Sequence, residues 1–152
     1  MDLQKPRVVL DAMIWARGLI ARYPAAASAT IIQGWKERRF RVLLSGELLD
    51  EIAETLLELG ADREDVVHVL MLLAVEGQVV PIKHQRMGCD DEEDDHLLET
   101  ALTGKADYLV SEDRAVHRLP QHVHEYLERN GVRLRRAHEF CEDLKALVAG
   151  RP

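Results

Sequence analysis

Short apolar runs without helical period alternate along the chain with longer stretches in which apolar residues recur every three or four positions. Arg7–Leu10, bounded by Pro6 and Asp11, reads as a buried strand. Helical spacing follows over Ile14–Ala21 and again over the alanine-rich Ala25–Arg39, which ends in a basic cluster suited to a helix C-terminus. Phe40–Leu44 is a second strand. Ser45 is a natural N-cap for a helix over Glu47–Leu59, with Gly60 as its stop. Asp62 is placed to cap Arg63–Val75, and Gln78–Ile82 reads as a third strand, near an edge because of Pro81. Asp94–Thr103 reads as a helix stopped by Gly104. The pattern closes with Tyr108–Val110 (strand), Val123–Arg129 (helix), Val132–Leu134 (strand) and Ala137–Val148 (helix).

Alternation of this kind predicts an α/β fold, with parallel strands joined by crossover helices on both faces. Binding sites in such sheets form beyond the carboxyl ends of the strands. No repeat, linker or composition shift divides the chain, so residues 1–152 are expected to form a single domain.

Composition narrows the chemistry. With 47% hydrophobic residues and 5% aromatics, the core must rest on Leu, Val, Ile and Ala. No apolar run reaches the roughly 18–20 residues of a membrane span, and the N-terminus has no leader-like apolar stretch, so a cytoplasmic protein is expected. Cys89 and Cys141 are too few for a disulfide framework and lack ligand spacing. The net charge of −7 argues against a module that holds nucleic acid by electrostatics alone. It leaves room for an enzyme in which bound cations offset acidic ligands.

The acids then become the feature to explain. Asp11 follows the first strand and Asp113 comes three residues after the fourth. Either alone is accounted for as a helix cap. Asp90–Asp95 is a run of six carboxylates, more negative charge than a helix N-terminus offsets without a cation. Glu47, Glu51, Glu54 and Glu58, spaced by 4, 3 and 4, share one helix face; a solvated acidic face accounts for them equally well. Carboxylates without Cys or clustered His suit hard ions such as Mg²⁺ or Mn²⁺. The seven histidines are scattered, and His96 is expected at the surface. No phosphate-binding glycine loop, nucleophile elbow or HExxH pattern occurs. Arg38, Arg39 and Arg41, and Arg133, Arg135 and Arg136, form basic patches that either steer a nucleic-acid backbone or are plain solvated surface.

Four stretches carry a resemblance: Val8–Trp15 around Asp11, Leu44–Ile52 around Glu51, Cys89–Glu99 around Asp94 and Asp95, and Ala106–Asp113. In order and spacing they resemble the PIN domain, and most closely the VapC-like toxins of toxin–antitoxin pairs. The resemblance implies a three-layer sandwich with a central, mostly parallel five-stranded sheet. It implies an Mg²⁺- or Mn²⁺-dependent endoribonuclease whose metal-holding and catalytic acids are Asp11, Glu51, Asp94 or Asp95, and Asp113, with Ser111 in a supporting role. Counting from the helix favours Asp94; counting back from Asp113 favours Asp95. RNA is the implied substrate, a small antitoxin and a second copy of the chain the implied partners. The apolar faces of Ile31–Trp35 and Leu48–Leu59 are available for pairing if they are not core. Met13, where many relatives have a polar residue, and Glu92, in place of a frequent proline, depart from the pattern without removing an acid. A housekeeping PIN nuclease without an antitoxin, a non-catalytic PIN-like interaction module and a nuclease acting on structured DNA are the competing readings.

Overall fold

The computed structural model describes residues 5–20 and 26–149. Its elements run β1 (Arg7–Leu10), α1 (Ala12–Leu19), α2 (Ala27–Lys36), β2 (Arg41–Leu44), α3 (Gly46–Glu58), α4 (Arg63–Glu76), β3 (Gln78–Val79), α5 (Asp95–Thr103), β4 (Tyr108–Val110), α6 (Gln121–Arg129), β5 (Arg133–Arg135) and α7 (Ala137–Ala149). The expected helix and strand order is therefore present, with shifted ends. Ala21 and Ala25, expected in the first two helices, lie outside the described residues, as do positions 1–4.

The five strands form one sheet in the order β3-β2-β1-β4-β5. Every pairing is parallel, so the sheet is wholly rather than mostly parallel. The reason lies in the connections, each of which carries at least one helix and so returns the chain to the starting edge of the sheet. Helices cover both faces, and the inner strands are apolar at nearly every position: Val8, Val9, Leu10, Val42, Leu43, Leu44, Leu109 and Val110 are all buried. The core continues into α1 and α2 through an edge-to-face pair, Trp15 and Trp35, with centroids 5.0 Å apart.

Three local outcomes differ from the pattern-based expectation. β3 stops after Val79: Val80 N–H donates to Leu44 O at 2.6 Å, and Pro81 then has no N–H to continue the ladder. Asp62 sits at the N-cap of α4, but its side chain makes no capping hydrogen bond there. The faces of Ile31–Trp35 and Leu48–Leu59 are largely spent on the core, since Ile31, Ile32, Trp35, Leu48, Ile52 and Leu56 are buried, and Leu59 at the end of the second is exposed. Exposed large apolar side chains lie instead along α4, at Val67, Met71 and Val75. Gly60 does end α3 as expected, with a φ of 95° that favours glycine. No helix among the described residues is long and apolar enough to cross a membrane.

Strand order places the site. From β1 the chain moves outward one way through β2 and β3, then returns to the other side of β1 for β4 and β5. The reversal falls between β1 and β4, the crevice where ligands enter open parallel sheets. Leu10 pairs with Val110 in register, so the residues that follow them, Asp11 and Ser111, emerge side by side.

Candidate active site

Asp11 is the N-cap of α1, and its Oδ1 accepts from the N–H groups of Met13 (2.9 Å) and Ile14 (3.3 Å). Its backbone N–H donates to Val110 O, tying it to β4. Ser111 Oγ donates to Asp11 Oδ2 at 2.5 Å and accepts from Asp113 N–H at 3.0 Å. Ser111 thus joins two acids that are 102 positions apart in the chain, given the numbers 11 and 113. His117 Nε2 lies 2.6 Å from Ser111 O and fixes the same turn, while Asp113 Oδ1 caps it by accepting from Ala115 N–H. Asp11 and Asp113 are therefore both caps, as elementary reasoning anticipates, and both also face the β1–β4 crevice.

The six-acid run divides its labour. Asp91 Oδ1 accepts from Glu93 N–H and starts a 3-10 turn over Glu92–Asp94. Glu92 reaches Arg86 Nη1 at 2.7 Å. Asp94 is 8% exposed and its Oδ2 is buried without a hydrogen-bond partner. Burial, then the charge of Asp113 and a carboxyl–carboxylate hydrogen bond with it, then the charges of Asp91 and Asp11, push its carboxyl up to about 7. Asp11 is shifted in the same direction, chiefly by burial, with Asp113 adding to it and the Ser111, Ile14 and Met13 donors opposing it.

Asp95, 4% exposed, behaves in the opposite way. Its Oδ1 accepts from Cys89 N–H at 3.0 Å and its Oδ2 from Arg86 Nε at 2.7 Å. Burial alone would raise its carboxyl; the Cys89 and Met87 N–H groups and the Arg86 guanidinium outweigh burial and hold it below the usual range. Glu99, one turn along α5, accepts from Lys83 N–H (2.5 Å) and Gln85 N–H (2.9 Å). Together Asp95 and Glu99 pin the irregular segment between β3 and α5, whose 83–89 backbone has few other partners.

The acidic face of α3 looks into the same crevice. Asp11, Glu47, Glu51, Glu54, Asp94 and Asp113 all line one open groove of about 1100 Å³. Glu51 is engaged by His96, whose Nε2 lies 2.7 Å from Glu51 Oε1. His96 is 8% exposed rather than on the surface as expected, because α5 packs it inward against α3. Burial lowers the His96 pKa, but the hydrogen bond to Glu51 and the charges of Glu51, Glu47 and Asp94 win, and the net shift is upward. Glu47, nearer the groove mouth, meets His84 Nδ1 at 3.3 Å. For His96 the sequence reading is a surface position, which its burial corrects; His84 is not singled out by the sequence, and a lone histidine outside any periodic pattern offers no signal that would have found it.

The basic patches do not join this site as a unit. Arg41 opens β2, so Arg38–Arg41 sits at the amino end of the sheet, one strand length (roughly 13 Å for four residues) from the acids. Arg135 is paired with Asp143 at 2.7 Å. Arg17 and Arg86 are the arginines that line the groove.

Asp11, Asp94, Asp113 and Glu51 are the oxygen donors that could serve a divalent cation. The orphaned, buried Oδ2 of Asp94 beside two further carboxylates fits such an ion, and the all-oxygen donor set suits Mg²⁺ or Mn²⁺. As the side chains stand, no group of three or more His, Cys, Asp or Glu among the described residues is arranged to hold an ion.

No curated protein matches the chain. A family model described as PIN domain matches residues 7–115, from the first residue of β1 to just beyond Asp113, and so takes in every acid of the groove cluster. Well over half of the sequence lies within that match, on a five-stranded parallel sheet with helices on both faces, and PIN domains are in general nucleases. The chain belongs to the PIN domain family.

Proposed function

We propose that residues 1–152 form one nuclease domain that hydrolyses RNA phosphodiester bonds with Mg²⁺ or Mn²⁺, as the toxin of a toxin–antitoxin pair. The observation that carries the reading is the gathering of Asp11, Asp94 and Asp113 at the β1–β4 crevice, where burial and mutual repulsion favour a bound proton or a cation over three bare charges. A polyanion enters a groove lined by acids only if positive charge is supplied there, which also accounts for a nuclease with a net charge of −7.

When bound, the ion supplies an activated water and charge neutralisation at phosphate. The chain supplies the rest. Asp11 is held rigidly by two backbone N–H groups and by Ser111, so it offers a preorganised oxygen. Asp94 brings an oxygen with no protein donor and is taken as the third acid in preference to Asp95, whose charge is already met by the Arg86 guanidinium. Asp113 completes the cluster. Glu51 lines the same groove and would bind a second ion or orient the attacking water. Arg17 and Arg86 also line the groove, Arg86 paired there with Asp95 and Glu92.

The antitoxin reading rests on charge: a partner segment carrying a Lys or Arg would complement the groove and block it. The exposed Val67, Met71 and Val75 face of α4 is the surface for a second copy or for the apolar part of that partner. Light scattering of the purified chain, alone and with the product of an adjacent small gene, separates these. One observation favours a second reading, a non-catalytic PIN module: Asp11 and Glu51 are already engaged by donors of the protein itself.

A single assay bears on both. Mixed tRNA, rRNA and single-stranded RNA are incubated with Mg²⁺, Mn²⁺ or EDTA, beside Asp11→Asn. Metal-dependent cutting that disappears in the variant is expected. Absence of cutting by a protein that binds Mn²⁺ would shift the reading to a nuclease whose specific substrate is not in the pool or to the non-catalytic module.

A further inference from the structure

His96 is a buried histidine whose one side-chain partner is a carboxylate of the groove. Its Nε2 lies 2.7 Å from Glu51 Oε1, and its Nδ1 is buried without a hydrogen-bond partner. A core position gains nothing from an imidazole with an orphaned nitrogen; leaving a buried polar atom unpaired costs about 1–3 kcal/mol, and an apolar side chain of similar volume would avoid that. The Glu51 contact is what the structure obtains in return. Glu51 itself is only partly covered, on a helix face whose other glutamates have no comparable buried partner: Glu47 meets a largely exposed His84, and Glu54 and Glu58 make no ion pair among the described residues. Fixing an exposed glutamate costs side-chain entropy of up to about 2 kcal/mol, which a rigid buried donor meets in advance. His96 takes one oxygen, Oε1, and no described residue donates to the other.

We propose that His96 is the positioning residue for Glu51, selecting it from the four glutamates of α3 and holding its carboxylate in the groove so that Oε2 is presented to a divalent ion or its water. This rests on the nuclease reading for its consequence in catalysis, but not for the clamp itself. His96 does not touch substrate; it acts through Glu51, as the outer partners of metal ligands do.

The test compares wild type, His96→Leu and His96→Gln, the last keeping an amide N–H near the position of Nε2. Three quantities are measured: Mn²⁺ affinity by calorimetry, Glu51 side-chain order in the metal-free protein by ¹³C relaxation, and kcat and KM for RNA cleavage. His96→Leu is expected to fold with an undiminished melting temperature in EDTA, to loosen Glu51 but not Glu54, and to bind Mn²⁺ about 10–100-fold more weakly. Its kcat should fall by a similar factor with KM little changed, and His96→Gln should recover most of the affinity and of the Glu51 order. Unchanged Mn²⁺ affinity in His96→Leu, including no binding by either protein, overturns the proposal; so does Gln behaving like Leu. If His96→Leu is too unstable to study, the Gln variant decides alone: Glu51 order and Mn²⁺ affinity near wild type support the clamp, and loss of both rejects it. Loss of Mn²⁺ affinity and of Glu51 order in a protein that never cuts RNA would keep the clamp and sink the nuclease; cleavage and affinity indifferent to His96 would do the reverse.

Discussion

Asp94 and Asp95 are consecutive, both almost wholly buried, and belong to two regions that treat the same carboxylate in opposite ways. Around Asp95, backbone N–H groups and Arg86 converge on the acid, and with Glu99 they strap the 83–89 segment to α5. Around Asp94, other carboxylates converge instead, one oxygen has no partner, and the pKa rises to about 7. Burial is therefore no guide to role here. What separates a structural acid from a candidate catalytic one is whether the surrounding groups neutralise it or repel it.

The largest expected effect tests the Asp94 side. Asp94→Asn or Asp11→Asn should lower metal-dependent RNA cleavage by at least about 100-fold, since even residues behind a metal ligand are worth about 10–100-fold. Asparagine still caps α1, so circular dichroism should be unchanged. Near-full activity in either variant would erase the distinction drawn above. On the other side, Asp95→Ala leaves Cys89 N–H unpaired and Arg86 with Glu92 as its remaining carboxylate, and should cost about 2–3 kcal/mol in urea unfolding. A loss under 0.5 kcal/mol, by order of magnitude, would mean the strap holds without it.

The next effect is a pH dependence. Because the folded-state pKa of Asp94 lies above its ordinary value, the folded protein binds that proton more tightly than the unfolded chain does. The stabilisation is complete below about pH 4 and disappears as pH rises through about 7. Metal-free wild type should thus lose stability relative to Asp94→Asn between pH 4 and pH 8, by up to roughly 4 kcal/mol. Saturating Mn²⁺ at pH 8 should restore it in wild type only. A stability difference that does not vary with pH would show that repulsion at Asp94 is relieved in some other way. The smallest effect is Glu47→Gln, which breaks only an exposed contact with His84 and should change activity less than about 2-fold and stability by under about 0.5 kcal/mol.

Much of this site can be read along the chain. The strand before Asp11, the Ser45 cap and Gly60 stop of α3, and the shared face of Glu47, Glu51, Glu54 and Glu58 follow from local rules that the structure obeys, because caps and helix phase depend on a few neighbouring residues. The choice between Asp94 and Asp95 does not. A 3-10 turn over Glu92–Asp94 leads into the α-helix at Asp95, so the rotation per residue changes at the point where one counts. His96 is illegible for a different reason: its burial is set by α5 packing against α3, elements more than thirty residues apart.

The sequence by itself determined the α/β class, the order of strands and helices, and the acids standing just past the strands, because those depend on apolar period, turn residues and caps. Only the tertiary structure decided that β1 and β4 are neighbours, that Ser111 joins Asp11 to Asp113, that Asp94 faces repulsion while Asp95 finds partners, and that His96 holds Glu51. Apart from the Asp95 pairings, which span six and nine positions, these are contacts between residues far apart in the chain. Such contacts are fixed by which strand pairs with which and by how helices pack on the sheet, and no local rule encodes them.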